Sequence, residues 1–222
     1  MSGLGASTTP TQHPVYYFSN ASHVFQFGCP QIDNVLYRLC GSVLPSNSET
    51  FNGMFAAMES AGLEEIDGKS DERPIHLAGT TQEMFELFLE HTFGRARASQ
   101  YTLEELSNFL HFCDMYQCSH TRKFVVSCIQ STRYHFHPAQ LINLAIQYNT
   151  GAIFPFTFKQ LVNTPITQLT AQHRQLLGNN VFTSLVYVQA ALEEHRRIVA
   201  AEEPKILIHT SDCQDPVGCN KD

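Results

Sequence analysis

The order of apolar and polar residues divides the chain into an early stretch of period two and a long remainder of period near 3.6. His23-Val24-Phe25-Gln26-Phe27 alternates and places Phe25 and Phe27 on one face. Val35-Leu36-Tyr37-Arg38-Leu39 alternates likewise and groups Val35, Tyr37 and Leu39. Between them Cys29-Pro30-Gln31-Ile32-Asp33-Asn34 is turn-prone, so the two runs are predicted to pair as a hairpin. Val15-Tyr16-Tyr17-Phe18, ahead of them, is β-rich and reads as a further short strand.

Helical spacing then takes over. Phe51, Met54, Phe55 and Met58 fall at i, i+3, i+4 and i+7, one buried helix face. From Glu59 to Asp71 the pattern breaks in a run with Gly62, Gly68 and several carboxylates, which reads as a mobile, solvated loop. Pro74-Ile75-His76-Leu77 restores alternation, a short strand with Ile75 and Leu77 inward. Thr80 with Glu83 has the spacing of a capping box, and Thr102 with Glu105 repeats it. The first helix presents Phe85, Phe88, Leu89 and Thr92; the second presents Leu103, Leu106, Leu110 and Cys113. Thr121, Phe124, Val125, Cys128 and Ile129 mark a third. Pro138 suits a first helical turn, with Leu141, Leu144, Ala145 and Tyr148 on one face. A further helical piece is expected from Ile153 to Val162. Gly178-Asn179-Asn180 then opens a long helix with Leu185, Val188, Leu192 and Val199 in its stripe, ended by Pro204. Strands first and helices afterwards predict an α+β fold rather than alternating units.

Composition narrows the partners. The 222 residues are 43% hydrophobic, enough to build a packed core, and carry a formal net charge of −7. An acidic balance without a basic stripe argues against nucleic acid, which requires clustered Lys and Arg. No apolar run has the roughly 18 residues of a membrane span, and the first ten residues lack the basic start and apolar stretch of a signal peptide. Seven cysteines, an odd number, with three inside helical patterns, read as reduced thiols of a cytoplasmic or nuclear protein. From Tyr134 to Leu192 the only formal charges are Lys159 and Arg174. Uncharged polar groups lose less hydration on burial, so this stretch is expected to pack on the preceding domain or on a partner.

Together the elements resemble a known family. Tyr37-Arg38-Leu39-Cys40-Gly41-Ser42-Val43-Leu44, then Asn47-Ser48 and Phe51-Asn52-Gly53-Met54-Phe55, resembles the strand-to-helix signature of BTB/POZ domains. Asp71-Glu72-Arg73-Pro74-Ile75-His76-Leu77 is similar to that family's strand before a helix. Thr102-Leu103-Glu104-Glu105, Cys113-Asp114-Met115-Tyr116 and Arg122-Lys123 resemble its later helical pair. The likeness spans roughly residues 15 to 203 and is nearest to the expanded BTB set of mushroom-forming fungi, whose helical extension resembles Pro138 to Ala201. Two departures stand out: Cys40 where the family usually has histidine, and Ser22-His23 where it usually has an acidic residue. The resemblance implies a BTB/POZ fold, in which short N-terminal strands and a hairpin pack against a helical cluster, over 15–133. A helical extension over 134–203 follows, with a disordered leader over 1–14 and a flexible tail over 204–222.

Three stretches offer metal-like or acid/base chemistry. His111, Cys113, Cys118 and His120 nominally supply the four ligands of a zinc site, but Cys113 completes the stripe begun at Leu103, and a buried cysteine behaves as a small hydrophobe. His209, Cys213 and Cys219 in the tail supply three ligands where a closed site needs four, so zinc there awaits metal analysis. Tyr134-His135-Phe136-His137 reads as the turn that opens the helix at Pro138. Nucleophile-elbow, P-loop and dinucleotide fingerprints are absent. No catalytic residue, metal ligand or cofactor is assigned. The resemblance implies a non-enzymatic protein–protein interaction module that homodimerises through its first strand and first helix, here Val15 to Leu44. A substrate adaptor of a cullin-type ubiquitin ligase and a transcriptional co-regulator recruiting other proteins are the alternatives. Neither nucleic acid nor membrane is expected as a partner.

Overall fold

The computed structural model describes residues 10–27, 35–60, 67–97 and 101–201. Most of the expected leader, the hairpin turn with Cys29, and the tail with Pro204, His209, Cys213 and Cys219 lie outside these residues.

The fold is mixed α+β, built on one small four-stranded sheet. β2 (His23–Phe27) pairs antiparallel with β3 (Val35–Leu39), Phe25 opposite Tyr37, so the expected hairpin partners meet in register. β1 (Thr11–Tyr17) lies parallel to β3, and β4 (Ile75–Leu77) parallel to β2. The strand order is β1-β3-β2-β4. β2 is buried on both faces: Val24 and Gln26 are enclosed as well as Phe25 and Phe27. Alternation along its sequence marks a half-buried strand, and a central position overrides it.

Eight α-helices are described: α1 (Val43–Asn47), α2 (Glu49–Ser60), α3 (Gln82–Thr92), α4 (Leu103–Met115), α5 (Ser119–Thr132), α6 (Pro138–Gln147), α7 (Phe154–Val162) and α8 (Ala171–Ala201). The core that α2 to α5 share with the sheet is aromatic. Phe85 on α3 has its ring centroid 4.4 Å from that of Phe27, 5.5 Å from Tyr37, 6.1 Å from Phe25 and 6.1 Å from Phe112 of α4. Phe51 of α2 stacks on Tyr116 at 4.7 Å. Each such side chain withdraws enough apolar area to contribute about 1.5–3 kcal/mol, and each edge or offset contact adds about 0.5–1.5 kcal/mol.

Helix ends follow local chemistry with one correction. Thr102 and Glu105 form the expected capping box: the Thr102 hydroxyl accepts from the Glu105 N–H at 3.1 Å, and the Glu105 carboxylate accepts from the Thr102 N–H at 2.7 Å. At α3 the cap is Thr81, whose hydroxyl accepts from the Met84 N–H, so the expected Thr80–Glu83 box does not form. Thr80 is buried, 2.6 Å from the Tyr116 hydroxyl, a partner 36 residues away that helix-start spacing cannot reveal.

The chain separates into two compact units, residues 1–163 and 164–222, so the stretch expected as one extension over 134–203 is shared between them. Leu141, Leu144, Ala145, Tyr148 and Ile153 belong to the same core as the sheet, which places α6 and the start of the following segment on the preceding domain. In the second unit α8 is interrupted at Gly178, whose φ of +67° is left-handed. The long helical run therefore begins where expected, but a short helical segment precedes it. Along its stripe Leu185 is buried, whereas Leu192 and Val199 are exposed. The periodicity extends further than the burial.

Gly68, at φ +86°, sits where an added Cβ would meet the Ile75 Cδ1 atom at 2.6 Å. Gly68→Ala is expected to cost about 1–3 kcal/mol, left-handed strain plus the displacement of Ile75, read as a lower urea midpoint with an unchanged slope. Thr81→Ala is expected to cost about 1 kcal/mol through the lost cap.

Candidate interaction surface

Side chains that suggest chemistry in the sequence are mostly spent on architecture. Cys113 lies in the last turns of α4 and Cys118 at the start of α5, both buried; His111 and His120 face solvent. The reversal between the helices runs through Gln117 at φ 51°, and the Cys118 N–H donates to the Cys113 carbonyl at 2.9 Å. Burial pushes the Cys113 thiol far up and the Cys118 thiol up to about 12, so both are thiols rather than thiolates at neutral pH. Among the described residues no three histidine, cysteine or carboxylate side chains gather as a metal site. His137 opens α6: its Nδ1 accepts from the Ala139 N–H at 3.1 Å, and the Gln140 amide oxygen accepts from the His137 N–H. That is the helix-opening role expected for this stretch, with an imidazole doing what serine or aspartate usually does.

Two of the surface cavities among the described residues lie in the first unit. One, of about 450 Å³, has a floor of Phe55 and Met58 with His23, Cys40, Glu59 and Lys69 around it. Ser22 Oγ lies 2.8 Å from His23 Nδ1 and accepts the Gly41 N–H at 2.9 Å. The His23 ring meets Phe55 edge-on at 4.5 Å, and burial, with Lys69 nearby, holds its proton affinity below the ordinary histidine value despite Glu59. The other, of about 360 Å³, lies between α5 and the 149–152 turn, bordered by Lys123 and Ser127. Arg122 at its edge is paired with Asp114 and with the Tyr148 carbonyl.

A further exposed feature is the sheet edge. Among the described residues β1 borders β3 alone, and Val15 is 41% exposed on it. Its far end is tied down: the Tyr17 hydroxyl lies 2.8 and 2.9 Å from the two Asp71 oxygens, and the Arg38 guanidinium lies over the Tyr17 ring. The described part of the acidic break, residues 67–73, is therefore docked rather than mobile. The Val24 N–H donates to the Gly68 carbonyl at 2.7 Å, and Arg73 pairs with Asp67 at 3.3 Å. At its start β1 is held by His13 and Glu86, 3.1 Å apart. Sequence reasoning singled out neither, because their relation spans 73 residues.

No protein-family model matches the chain, and no curated protein matches it.

In native protein Cys40 is exposed whereas Cys113 and Cys118 are buried. A thiol reagent followed by peptide mapping should label Cys40 within minutes and the other two only after unfolding. Burial also lowers the proton affinity of His91, as does His120 beside it, so His23 and His91 are both held neutral. The unfolded chain takes up protons at these positions below about pH 6.5, so stability should fall as the pH drops through that value. Urea midpoints between about pH 7 and pH 5 check the slope, and replacing both residues by glutamine should reduce it.

Proposed function

We propose that this chain is a non-enzymatic protein–protein interaction module of BTB/POZ type that associates with a second copy of itself. The observation that carries the reading is the order and pairing of the elements: a hairpin, a helical pair, a short strand laid back on the hairpin, a helix, then a second helical pair. This is the order implied by the residues that resemble the family. Two further features support it. β1 ends the sheet with one side open among the described residues, the geometry through which a strand is added or exchanged between chains. The polar groups nearest the cavities are engaged within the chain, Ser22 with His23 and Gly41, and Arg122 with Asp114, rather than directed at a common point.

Self-association would then bury the outer side of β1 and the adjoining apolar side chains. Light scattering coupled to size exclusion is expected to give a dimer at micromolar concentration. Val15→Asp, a charge on the exposed edge, should shift the molecule to monomer without altering the far-ultraviolet circular dichroism. A strict monomer at that concentration would remove the self-association claim.

A further inference from the structure

β1 leaves its register where His13 stands. Gln12 is opposite Leu36 and Tyr17 is opposite Arg38, so five residue steps of β1 are set against two of β3. The His13 imidazole fills this bulge. Its Nδ1 accepts the backbone N–H of Val15 at 3.1 Å and that of Tyr16 at 2.9 Å. The ring lies 5.0 Å from Tyr16 and 4.7 Å from Tyr37, with 23° between the planes in each pair. Its Nε2 is 3.1 Å from Glu86 Oε1, which also accepts the Tyr37 hydroxyl at 2.7 Å and the Gln82 amide at 2.8 Å.

These contacts fix the protonation state. A backbone N–H can only donate, so Nδ1 bears no proton, and Nε2 carries the one that is given to Glu86. The turn is the one an asparagine or aspartate makes by accepting N–H groups two and three residues on, built here around an acceptor that can itself take up a proton.

We infer that His13 is a proton-operated latch on strand β1: a second proton, taken from solvent onto Nδ1, turns the acceptor into a donor, sets it against two backbone N–H groups and frees residues 13–16 from the sheet edge. The groups facing the ring are the Glu86 carboxylate on α3, the Tyr37 phenol on β3 and the Tyr16 phenol on β1. Beyond Tyr16 lie Glu90 and, 5.7 Å from its ring, the Arg95 guanidinium. Glu86 attracts an imidazolium, but only through Nε2. It is shared with two other donors and is 32% exposed, so solvent weakens its hold. It offers nothing to the two N–H groups stranded at Nδ1. The latch is a property of a single chain and stands whether or not the molecule dimerises.

Hydrogen–deuterium exchange on the full chain tests it, with the Val15 and Tyr16 amides corrected for the intrinsic pH dependence of exchange. Protection at these amides should fall on acidification, by up to about tenfold per pH unit, the slope of linkage to one proton. His13→Asn keeps an acceptor that does not titrate, and should hold the same amides at a protection independent of pH. Glu86→Gln keeps an acceptor for the ring and for Tyr37 but removes the charge that holds the imidazolium in the closed strand, so it should deepen the loss of protection at low pH. Two outcomes overturn the latch: wild type and His13→Asn with the same pH profile, or wild-type protection that rises on acidification. If His13→Asn fails to fold by circular dichroism, an acid loss in Glu86→Gln no deeper than in wild type overturns it equally.

Discussion

The position of Phe85 sets the terms for the rest of the first unit. Its ring touches both strands of the hairpin and the neighbouring helix α4, so the rotation of α3 about its own axis is fixed by the need to bury it together with Phe88 and Leu89. A helix has 3.6 residues per turn, so that choice also fixes where every other side chain of α3 points. Gln82 and Glu86, four apart, fall on the ridge over Tyr37 and the first strand. The polar attachment of β1 is thus a consequence of apolar packing. A carboxylate there is useful because the phenylalanine beside it leaves the helix no freedom to turn away.

A second regularity runs through the polar residues. Ser48, Thr81, Thr102, His13 and His137 each accept a backbone N–H at a turn or a helix start. Two of the five are histidines, the residues a reader of the sequence would reserve for acid/base or metal chemistry. Near an unsatisfied N–H an imidazole nitrogen is simply an acceptor of suitable reach. What distinguishes it from asparagine is that protonation cancels the role.

The charge-poor stretch from Tyr134 onward divides in the same physical terms. Over α6 and the segment that follows, uncharged polar residues let Leu141, Leu144 and Ile153 join the core of the sheet at little desolvation cost. Along α8 the apolar spacing continues, yet every residue from Ala190 to Ala201 is exposed. Periodicity states which residues share a face; it does not state what the face meets.

The sequence by itself determined the local part of this protein: the hairpin pairing of β2 and β3, the cap at Thr102, Pro138 opening α6, the inward cysteines of the helical pair, and the strand at Ile75 and Leu77. Each depends on residues within a turn or two of one another, where period, capping chemistry and backbone restriction act directly. Tertiary structure decided what depends on distant partners. It buried both faces of β2 by placing that strand at the centre of the sheet, withdrew Thr80 from its expected cap in favour of Tyr116, and docked Asp71 on Tyr17. It also set His13 opposite Glu86. A side chain takes the best partner within reach once the chain has closed, and for those residues that partner was dozens of positions away, where no local pattern records it.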